Sequence, residues 1–499
     1  MASNEERVPL LSATENGKEP DSGPVFEDEA GKSRFWPEAT RVVGMASAVE
    51  TFCGQAFGAG HHRVLGVVLQ RAVLLCLLTC ALPLALWVRA DWLMRLIGQQ
   101  PEVVPLAARY VRLLGPALCM WAVSGCIKSY LSSQGVVTPL TAVSLAYTAL
   151  TPLVNHLFMF RLGLGMVGAA VAYNMLQALE LLLLVAAMAW LHHFKQRPGA
   201  HTWRGFSSQA LTGWGGYLKI ALPSAAAICL DWWTYEGVVL IAGVLPDARV
   251  QLGAMGLAFD THALLFMVVD GFGSAASTRV SNELGAGRGR RARYAGLVAL
   301  LLGVAAPLAA SAGLVAFPRA WARIYTPDNA IISLVARTMP VLAISNIADS
   351  VAAVSSGMLR GSGRQELAFK VNLTVYWVLG LPCAALLALR YHMGALGLWL
   401  AMGGASALQA SILVGSILRF DWPAEARKAM LRVEATERAH AAEDAAAAAG
   451  EQARRAAGAE RAAEEGEGVE EPLPHPALHG GLDSRHGVHE PLLTAAHVI

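Results

Sequence analysis

The sequence predicts an all-α, polytopic membrane protein built from two helix bundles, and three observations carry this prediction. Hydrophobic residues make up 55% of the 499 residues and charged residues only 15%, with a mean hydropathy of +0.44. The apolar residues are gathered into runs long enough to cross a bilayer. Several short motifs also recur in the same order about half a chain apart. This composition excludes a wholly disordered chain and argues against a soluble enzyme.

The apolar runs give the number of membrane spans, because a transmembrane helix needs about 20 mostly apolar residues. Ten runs are clear, and they begin near Gly66, Pro105, Pro139, Met166, Trp214, Gln251, Ala292, Ile331, Val371 and Met393. A weaker eleventh covers residues 38–57, which are interrupted by Glu38, Arg41 and Glu50. We therefore expect 10–11 transmembrane helices.

The charge distribution suggests how the chain is divided, since both tails are acidic and the apolar middle is basic. The predicted parts are an N-terminal tail over 1–37, a first lobe over 38–192, an inter-lobe loop over 193–213, a second lobe over 214–420 and a C-terminal tail over 421–499. Alternate connections are rich in Lys and Arg, above all the loop from Arg279 to Arg293, and this excess predicts that they and the C-terminal tail are cytosolic.

The N-terminal tail bears on the choice of membrane. Glu6, Leu10 and Leu11 form an acidic dileucine pattern, which sorts proteins to vacuoles or lysosomes if it is cytosolic. Its side depends on whether residues 38–57 span the bilayer. The sequence therefore leaves both a vacuolar and a plasma-membrane location open.

An internal repeat predicts the two-lobed design. SAVETFCGQAFGAG at residues 47–60 matches SAASTRVSNELGAG at residues 274–287, a separation of 227 residues. Two further matches, from Leu131 to Leu359 and from Gly165 to Gly394, follow in order at nearly the same separation. Many transporters consist of two equivalent halves. When the repeat is used as a ruler, the first half lacks one whole span and most of another, so we expect a twelve-helix design with its first helix missing.

Carboxylates within apolar runs mark candidate functional residues, because each costs about 2.5–3.5 kcal/mol to insert at mid-membrane. Such acids are Glu50, Glu180, Asp231, Glu236, Asp260, Asp270 and Asp349. For Glu50 and Glu180 the simplest interpretation is an ion pair with a nearby base or a place at the membrane interface. Asp231, Glu236, Asp260 and Asp349 fall together in the second half, and as a set they favour a functional role.

The segment CLDWWTYE places acids and aromatic rings side by side. Trp232 and Glu236 share one helix face, and Asp231 similarly shares one with Tyr235. Carboxylates in a partly dry cavity suit reversible protonation, because burial disfavours their charged form. The same arrangement suits an organic cation through charge and cation–π contacts. Alternatively, Trp232 and Trp233 belong to an interfacial aromatic belt.

Other classes of function find little support. The sequence holds no HExxH, GxSxG, Walker or strand-linked GxGxxG motif, so we predict no enzyme activity and no cofactor. The seven cysteines lack metal-ligand spacing, so no metal site is expected. The basic loop has no interleaved aromatic residues, which argues against a nucleic-acid partner. Without a nucleotide site, transport driven by an ion gradient is the favoured function.

Four segments resemble signatures of the multidrug and toxin extrusion (MATE) family, most closely its eukaryotic, plant-type branch. They are ETFCGQAFGAG at 50–60, CLDWWTYE at 229–236, AASTRVSNELGAG at 275–287 and LRGSGRQ at 359–365. The resemblance implies two bundles related by a pseudo-twofold axis, with a central cavity that opens alternately to either side. It also implies export of organic cations, xenobiotics or secondary metabolites in exchange for protons, or for sodium in some members. A lipid-embedded monomer with a small organic substrate is expected.

The resemblance also assigns roles to residues. Asp231 takes the place of the Glu in the family's EWW motif, and Glu236 matches the second Glu that follows it. Asp260 falls where some members have Glu and many plant members have Asn, and Asp349 matches an acid of the tenth helix. We expect these four to bind protons or cations, with H⁺ favoured over Na⁺. The expected cavity residues are Trp232, Trp233, Tyr235, Asn155 and Gln55, although Asn155 equally suits a helix-packing hydrogen bond. Asp270 and Glu180 depart from the family pattern.

Two competing hypotheses remain. A truncated, non-transporting isoform or gene-model fragment of such a transporter is the main alternative. A membrane-embedded enzyme or lipid flippase is less favoured, because no catalytic constellation accompanies the acids.

Overall fold

The structure, a computed structural model, describes residues 29–96, 101–194 and 201–466. Within these ranges the chain is helical and contains no strand. The dileucine pattern and the Pro/His/Gly-rich end of the C-terminal tail lie outside the described residues.

The described residues of the first half form seven helices. They are α1 (Glu29–Gly58), α2 (His62–Val88), α3 (Ala90–Leu96), α4 (Val103–Leu113), α5 (Gly115–Ser133), α6 (Thr138–His156) and α7 (Gly165–Phe194). A π-helical turn, Leu157–Arg161, extends α6, and a short 3₁₀ turn, Ser208–Leu211, lies in the inter-lobe loop.

The described residues of the second half form nine helices. They are α8 (Trp214–Gly243), α9 (Ala248–Gly285), α10 (Gly289–Ala316), α11 (Pro318–Tyr325), α12 (Asn329–Ser362), α13 (Gln365–Asn372), α14 (Leu381–Ala385), α15 (Gly394–Leu418) and α16 (Trp422–Gly466). A π-helical segment, Leu373–Gly380, joins α13 to α14, and a second, Leu386–Arg390, extends α14, so that together they form one long helix.

The predicted membrane spans are confirmed. Ten helices or joined helices of the described residues are long and apolar enough to cross a bilayer, and each begins within a few residues of its predicted start. The weak eleventh run is part of α1, whose 30 residues span about 45 Å at a rise of 1.5 Å per residue. It is therefore long enough to cross, although its composition keeps it outside the ten.

Two hydrophobic cores correspond to the two halves. The first is built mainly by α1, α2, α4, α5 and α7, and the second by α8 to α15. The start of α8 packs into the first core through Tyr217 and Ala221, and the Tyr217 hydroxyl donates to the Met45 carbonyl at 2.7 Å. Helix α1 contacts α2 and α5 on one side and α8 and α9 on the other, so it lies between the two bundles. The lobe boundaries stay a prediction.

The two bundles meet where α1 and α9 end, and this contact shows the pseudo-twofold axis at atomic detail. Thr51 of α1 donates its hydroxyl to the Arg360 carbonyl of α12 at 2.6 Å. In the other direction, the hydroxyl oxygens of Thr278 on α9 and Ser132 on α5 lie 3.3 Å apart. Thr278 and Arg360 are the repeat partners of Thr51 and Ser132, so the same two repeat positions meet in both contacts, through the Arg360 carbonyl in one and the Ser132 hydroxyl in the other.

The next helical turn repeats the arrangement. Gln55 Nε2 donates to the Gly361 carbonyl at 3.0 Å, and Asn282 Nδ2 donates to the Ser133 carbonyl at 3.1 Å. Asn282 and Gly361 are again the repeat partners of Gln55 and Ser133. We call these four cross-bundle contacts the basal seam, and the end of the molecule that they close the basal end.

The start of α16 lies across the basal end and ties both halves together. We call residues 422–440 the strap. Glu425 accepts hydrogen bonds from Arg364 and Lys428, and Arg432 Nη1 donates to Gln55 Oε1 at 2.7 Å. Glu437 lies 2.7 Å from the Nδ1 atom of His61, the residue that precedes α2. From residue 441 the chain forms a separate compact unit, in which the described residues continue the helix.

Glu425 is the anchor of the strap, and we predict that Glu425→Gln destabilises the protein. Burial alone would raise the pKa of Glu425, but the hydrogen bonds from Arg364 and Lys428 outweigh it and hold that pKa below its ordinary value. Charge-assisted hydrogen bonds of this kind contribute about 1–2 kcal/mol. We expect the variant to melt several degrees lower at neutral pH, measured by thermal denaturation in detergent.

The pH dependence of this loss follows from the direction of the pKa shift. A lowered carboxyl pKa stabilises the folded state above the unfolded value of about 4.3 and loses that effect as pH falls through the folded pKa. The melting difference between Glu425→Gln and wild type should therefore shrink as pH falls below about 4.3 and vanish below the folded pKa of Glu425. Glu434→Gln is the matched control, because the Glu434–Arg438 pair on the same helix is exposed and such pairs contribute little. A difference that persists unchanged in acid would contradict this role of Glu425.

Candidate functional site

A cavity of about 510 Å³ lies between the bundles, and the second half supplies most of its wall. Its charged or titratable lining residues are Lys128, Asp231, His262, Asp270, Asp349 and Arg360. Its aromatic lining residues are Trp121, Trp232, Tyr235, Phe266 and Tyr376. Trp121 and Lys128, both on α5, are the lining residues from the first half.

Asp231 heads a chain of hydrogen bonds that runs along the cavity wall. Asn372 donates to Asp231 Oδ1 at 2.8 Å, and Gln409 donates to Asn372 Oδ1 at 2.7 Å. The Tyr376 hydroxyl in turn donates to Gln409 Oε1 at 2.9 Å. Asn372 directly precedes the π-helical segment that contains Tyr376, and π-helical turns often occur at functional sites. The network fixes the orientation of a carboxylate in mid-helix.

Asp349 is the second carboxylate of the cavity and faces a histidine. Its side chain is 7% exposed, and its Oδ2 atom lies 3.7 Å from His262 Nδ1. Neither of these two atoms makes a hydrogen bond within the described part of the chain. Since buried polar atoms are normally paired, this gap is a place where a proton, a water molecule or a substrate group can be accommodated.

Aromatic rings line the cavity together with Asp231 and Asp349. Tyr235 stacks on His262 with ring centroids 5.0 Å apart and an interplanar angle of 29°, and Trp399 lies 5.9 Å from the same imidazole. Trp232 packs edge-on against Phe266 at 6.3 Å. Ring faces next to carboxylates attract organic cations, so this wall can bind an apolar molecule that carries a positive charge.

Arg360 and Glu50 lie at the basal limit of the cavity and join the two bundles. The Glu50 carboxylate of α1 lies 3.8 Å from the Arg360 guanidinium of α12, and both side chains are largely buried. Glu180 likewise lies 2.6 Å from Lys128. Both acids therefore have the basic partners that the sequence interpretation gave them.

The predicted site residues divide into two groups. Asp231, Asp349, Trp232 and Tyr235 line the cavity together. The others lie outside its lining: Glu236 and Trp233 half-buried on α8, Asp260 exposed on α9, Asn155 on α6 and Gln55 in the basal seam.

The geometry of these other residues explains their places. Asn155 donates to the Thr151 carbonyl at 2.9 Å, a bond within its own helix. Asp260 precedes His262 by two positions, so the two side chains point to different sides of α9. The roles of Glu236, Asp260, Trp233, Asn155 and Gln55 stay predictions.

Several residues of the site were not predicted from the sequence. His262, Asn372, Gln409 and Tyr376 are the clearest examples, together with Lys128. A signal existed for His262, because an ionisable side chain in the apolar run FDTHALLF needs the same explanation as a carboxylate. No group of three His, Cys, Asp or Glu side chains that could hold a metal occurs among the described residues.

The fold and the cavity define the class of protein: a two-lobed membrane transporter with a charged central cavity. Its sequence matches the MatE family model over residues 39–157 and 223–386. The chain therefore belongs to the MatE family of multidrug and toxin extrusion transporters, and its members are transporters and not enzymes.

Individual relatives agree with the family model. Protein DETOXIFICATION 16 of Arabidopsis thaliana is 34% identical over 397 residues, which cover 79% of this chain and 80% of the relative. Multidrug and toxin extrusion protein 1 of Homo sapiens is 34% identical over 388 residues, 78% of this chain and 67% of the relative. The crystal structure of the eukaryotic MATE transporter AtDTX14 superposes with a TM-score of 0.77 at 31% identity, covering 82% of this chain and 90% of that one.

Proposed function

We propose that this protein is a secondary active antiporter that exports organic cations, xenobiotics or secondary metabolites in exchange for protons. The observation that supports it best is the pairing of Asp231 and Asp349 in one cavity beneath an aromatic wall. Such a wall binds a flat or apolar cation, and the carboxylates balance its charge. The relatives with "multidrug and toxin extrusion" and "DETOXIFICATION" in their names support the substrate class.

Competition for the carboxylates supplies the coupling. A carboxylate that carries a proton no longer attracts a cation, so proton binding and substrate binding weaken each other by the same factor. Proton uptake from the acidic side then releases substrate there, and loss of the proton on the other side restores the cation site. Only a cavity that opens alternately to the two sides turns this competition into exchange.

The basal seam supports such alternation. It closes the cavity below Arg360 through four cross-bundle contacts that involve few side chains. Opening the basal end requires these contacts and the strap to part. The basal seam consists of repeat-related contacts and the strap of surface contacts, so the two bundles can separate at the basal end as rigid bodies.

Protons suit this site better than sodium. Asp349 faces the His262 imidazole at 3.7 Å, and the aromatic rings of Tyr235 and Trp399 pack against that imidazole. Hard metal cations prefer a shell of several oxygen ligands, whereas a proton needs only one carboxylate that can bind and release it. We place the protein, as a monomer, in the vacuolar or plasma membrane.

Transport by the purified protein in liposomes tests the proposal. We expect an outward-directed substrate flux, followed with a fluorescent organic cation, when a pH gradient is imposed at zero sodium gradient. A flux driven by sodium at constant pH would refute proton coupling. Absence of flux under both gradients, from protein that is folded by thermal denaturation, would favour the non-transporting alternative.

A further inference from the structure

Lys128 is a positive charge in a cavity that otherwise suits cations. It lies on α5 of the first half, across the cavity from Asp231 and Asp349, and its side chain is 39% exposed. Its ammonium nitrogen lies 2.6 Å from Glu180 Oε1 on α7. Glu180 itself is buried and is not part of the cavity lining.

The setting of Glu180 holds the lysine in place. Gln177, one turn earlier on α7, donates to the Tyr147 hydroxyl of α6 at 3.2 Å. Because Glu180 is buried, it cannot follow the lysine into the cavity. It therefore holds the Lys128 ammonium group at the cavity wall.

The ammonium group has capacity left for a second partner. Lysine carries three N–H donors, and Glu180 is the partner that the described residues provide for it. With one donor used, the others are available on the exposed side of the group. The cavity thus has Lys128 on its first-half wall and three carboxylates, Asp231, Asp270 and Asp349, on its second-half wall. The other cation of the lining, Arg360, faces Glu50.

We propose that Lys128 is a specificity-determining residue that binds the carboxylate of amphoteric substrates, whose cationic end lies against Asp231 and Asp349. The preferred substrates are then organic molecules that carry both a positive group and a carboxylate. This inference rests on the proposed function and names a substrate class for the same cavity. An ammonium–carboxylate contact away from bulk water is a strong, charge-assisted hydrogen bond.

A pair of dyes that differ only in a carboxylate tests it. Rhodamine B is a zwitterion with a free carboxylate, and its ethyl ester is the matching cation. In liposomes with an imposed pH gradient, we expect Lys128→Gln to lower the transport efficiency for rhodamine B about tenfold or more, the equivalent of about 1.4 kcal/mol. The ester should be transported within about twofold of wild type, and Lys128→Arg should preserve transport of both dyes.

Glu180→Gln is a second, independent variant, and we expect it to have the opposite effect to Lys128→Gln. It removes the carboxylate that competes for Lys128, so the ratio of rhodamine B to ester transport should rise. The double variant Lys128→Gln/Glu180→Gln leaves no unpaired buried charge and should show the low ratio of Lys128→Gln. It preserves the test if Lys128→Gln alone does not fold.

The outcomes separate the two proposals. Equal losses for both dyes in Lys128→Gln, or an unchanged ratio in all variants, would overturn the role of Lys128 while transport itself stands. Failure of wild-type protein to move either dye would overturn both the inference and the proposed antiport.

Discussion

Asp349→Asn is expected to reduce pH-driven efflux to the level of protein-free liposomes. Asparagine has nearly the same shape as aspartate but can neither take up nor release a proton. The Asp349 Oδ2 atom is buried opposite His262 Nδ1 and makes no hydrogen bond within the described residues, so an amide group there displaces no hydrogen bond of this atom. The loss is therefore one of proton exchange and not of packing.

Substrate binding gives a more direct measurement of the same role. A permanent organic cation such as tetraphenylphosphonium should bind wild type less tightly as pH falls, because protons occupy the carboxylates. Asp349→Asn should weaken this pH dependence, and adding Asp231→Asn should abolish it. The Asp231 change is mild, since an amide oxygen can still accept the hydrogen bond from Asn372.

Asp247→Asn is the matched control for both measurements. Asp247 carries the same side chain at the exposed start of α9, and asparagine tolerates its left-handed backbone, with φ of 56°. This variant should transport and bind like wild type. Normal pH-driven efflux by Asp349→Asn would remove Asp349 from the coupling mechanism.

The sequence predicts most of the fold because hydropathy and repetition are local signals. Ten spans follow from apolar runs alone, since a bilayer leaves few alternatives to a helix. The repeat predicts more than similarity: its partners Thr51 and Thr278 make corresponding contacts across the pseudo-twofold axis. The polar composition of residues 38–57 does not reveal that they belong to a continuous 30-residue helix, because that helix is stabilised by apolar contacts with neighbouring helices of both halves.

The site is less predictable, since it depends on contacts between distant segments. Asp231 and Asp349 stand out as carboxylates in apolar sequence, and the structure brings them to one cavity. Asn372 and Gln409 are neutral and common in membrane helices, so only their hydrogen bonds to Asp231 and to one another reveal a role. Lys128 and Glu180 are 52 positions apart, and their pairing follows from the packing of α5 against α7.

Gly58→Ala and Gly285→Ala are expected to impair transport equally. At Gly58 an added Cβ would overlap the main-chain oxygen of Asn282, and at Gly285 it would overlap that of Gln55. Backbone cannot move aside as a side-chain tip does, so α1 and α9 must separate for the methyl group to fit. Overpacking of this kind costs about 1–3 kcal/mol.

That strain is specific to the state in which the basal seam is closed. An alternating transporter balances two states that differ by a few kcal/mol, so a penalty on one of them shifts the balance by about tenfold for every 1.4 kcal/mol. We expect each variant to reduce the rate of pH-driven efflux by about tenfold. Because Gly58 and Gly285 are repeat partners on a pseudo-twofold axis, the two reductions should be of similar size.

Gly313→Ala separates this effect from that of a methyl group in any membrane helix. An added Cβ at Gly313 on α10 meets no atom within 4 Å, and alanine favours helix more than glycine does. This variant should transport normally and melt no lower than wild type. If Gly58→Ala slows transport and Gly285→Ala does not, the pseudo-twofold axis relates the two sequences, but the two halves do not contribute equally to closure of the basal end. Equal effects would mean that both halves contribute equivalent surfaces to the basal seam, so that two symmetry-related contacts close the basal end.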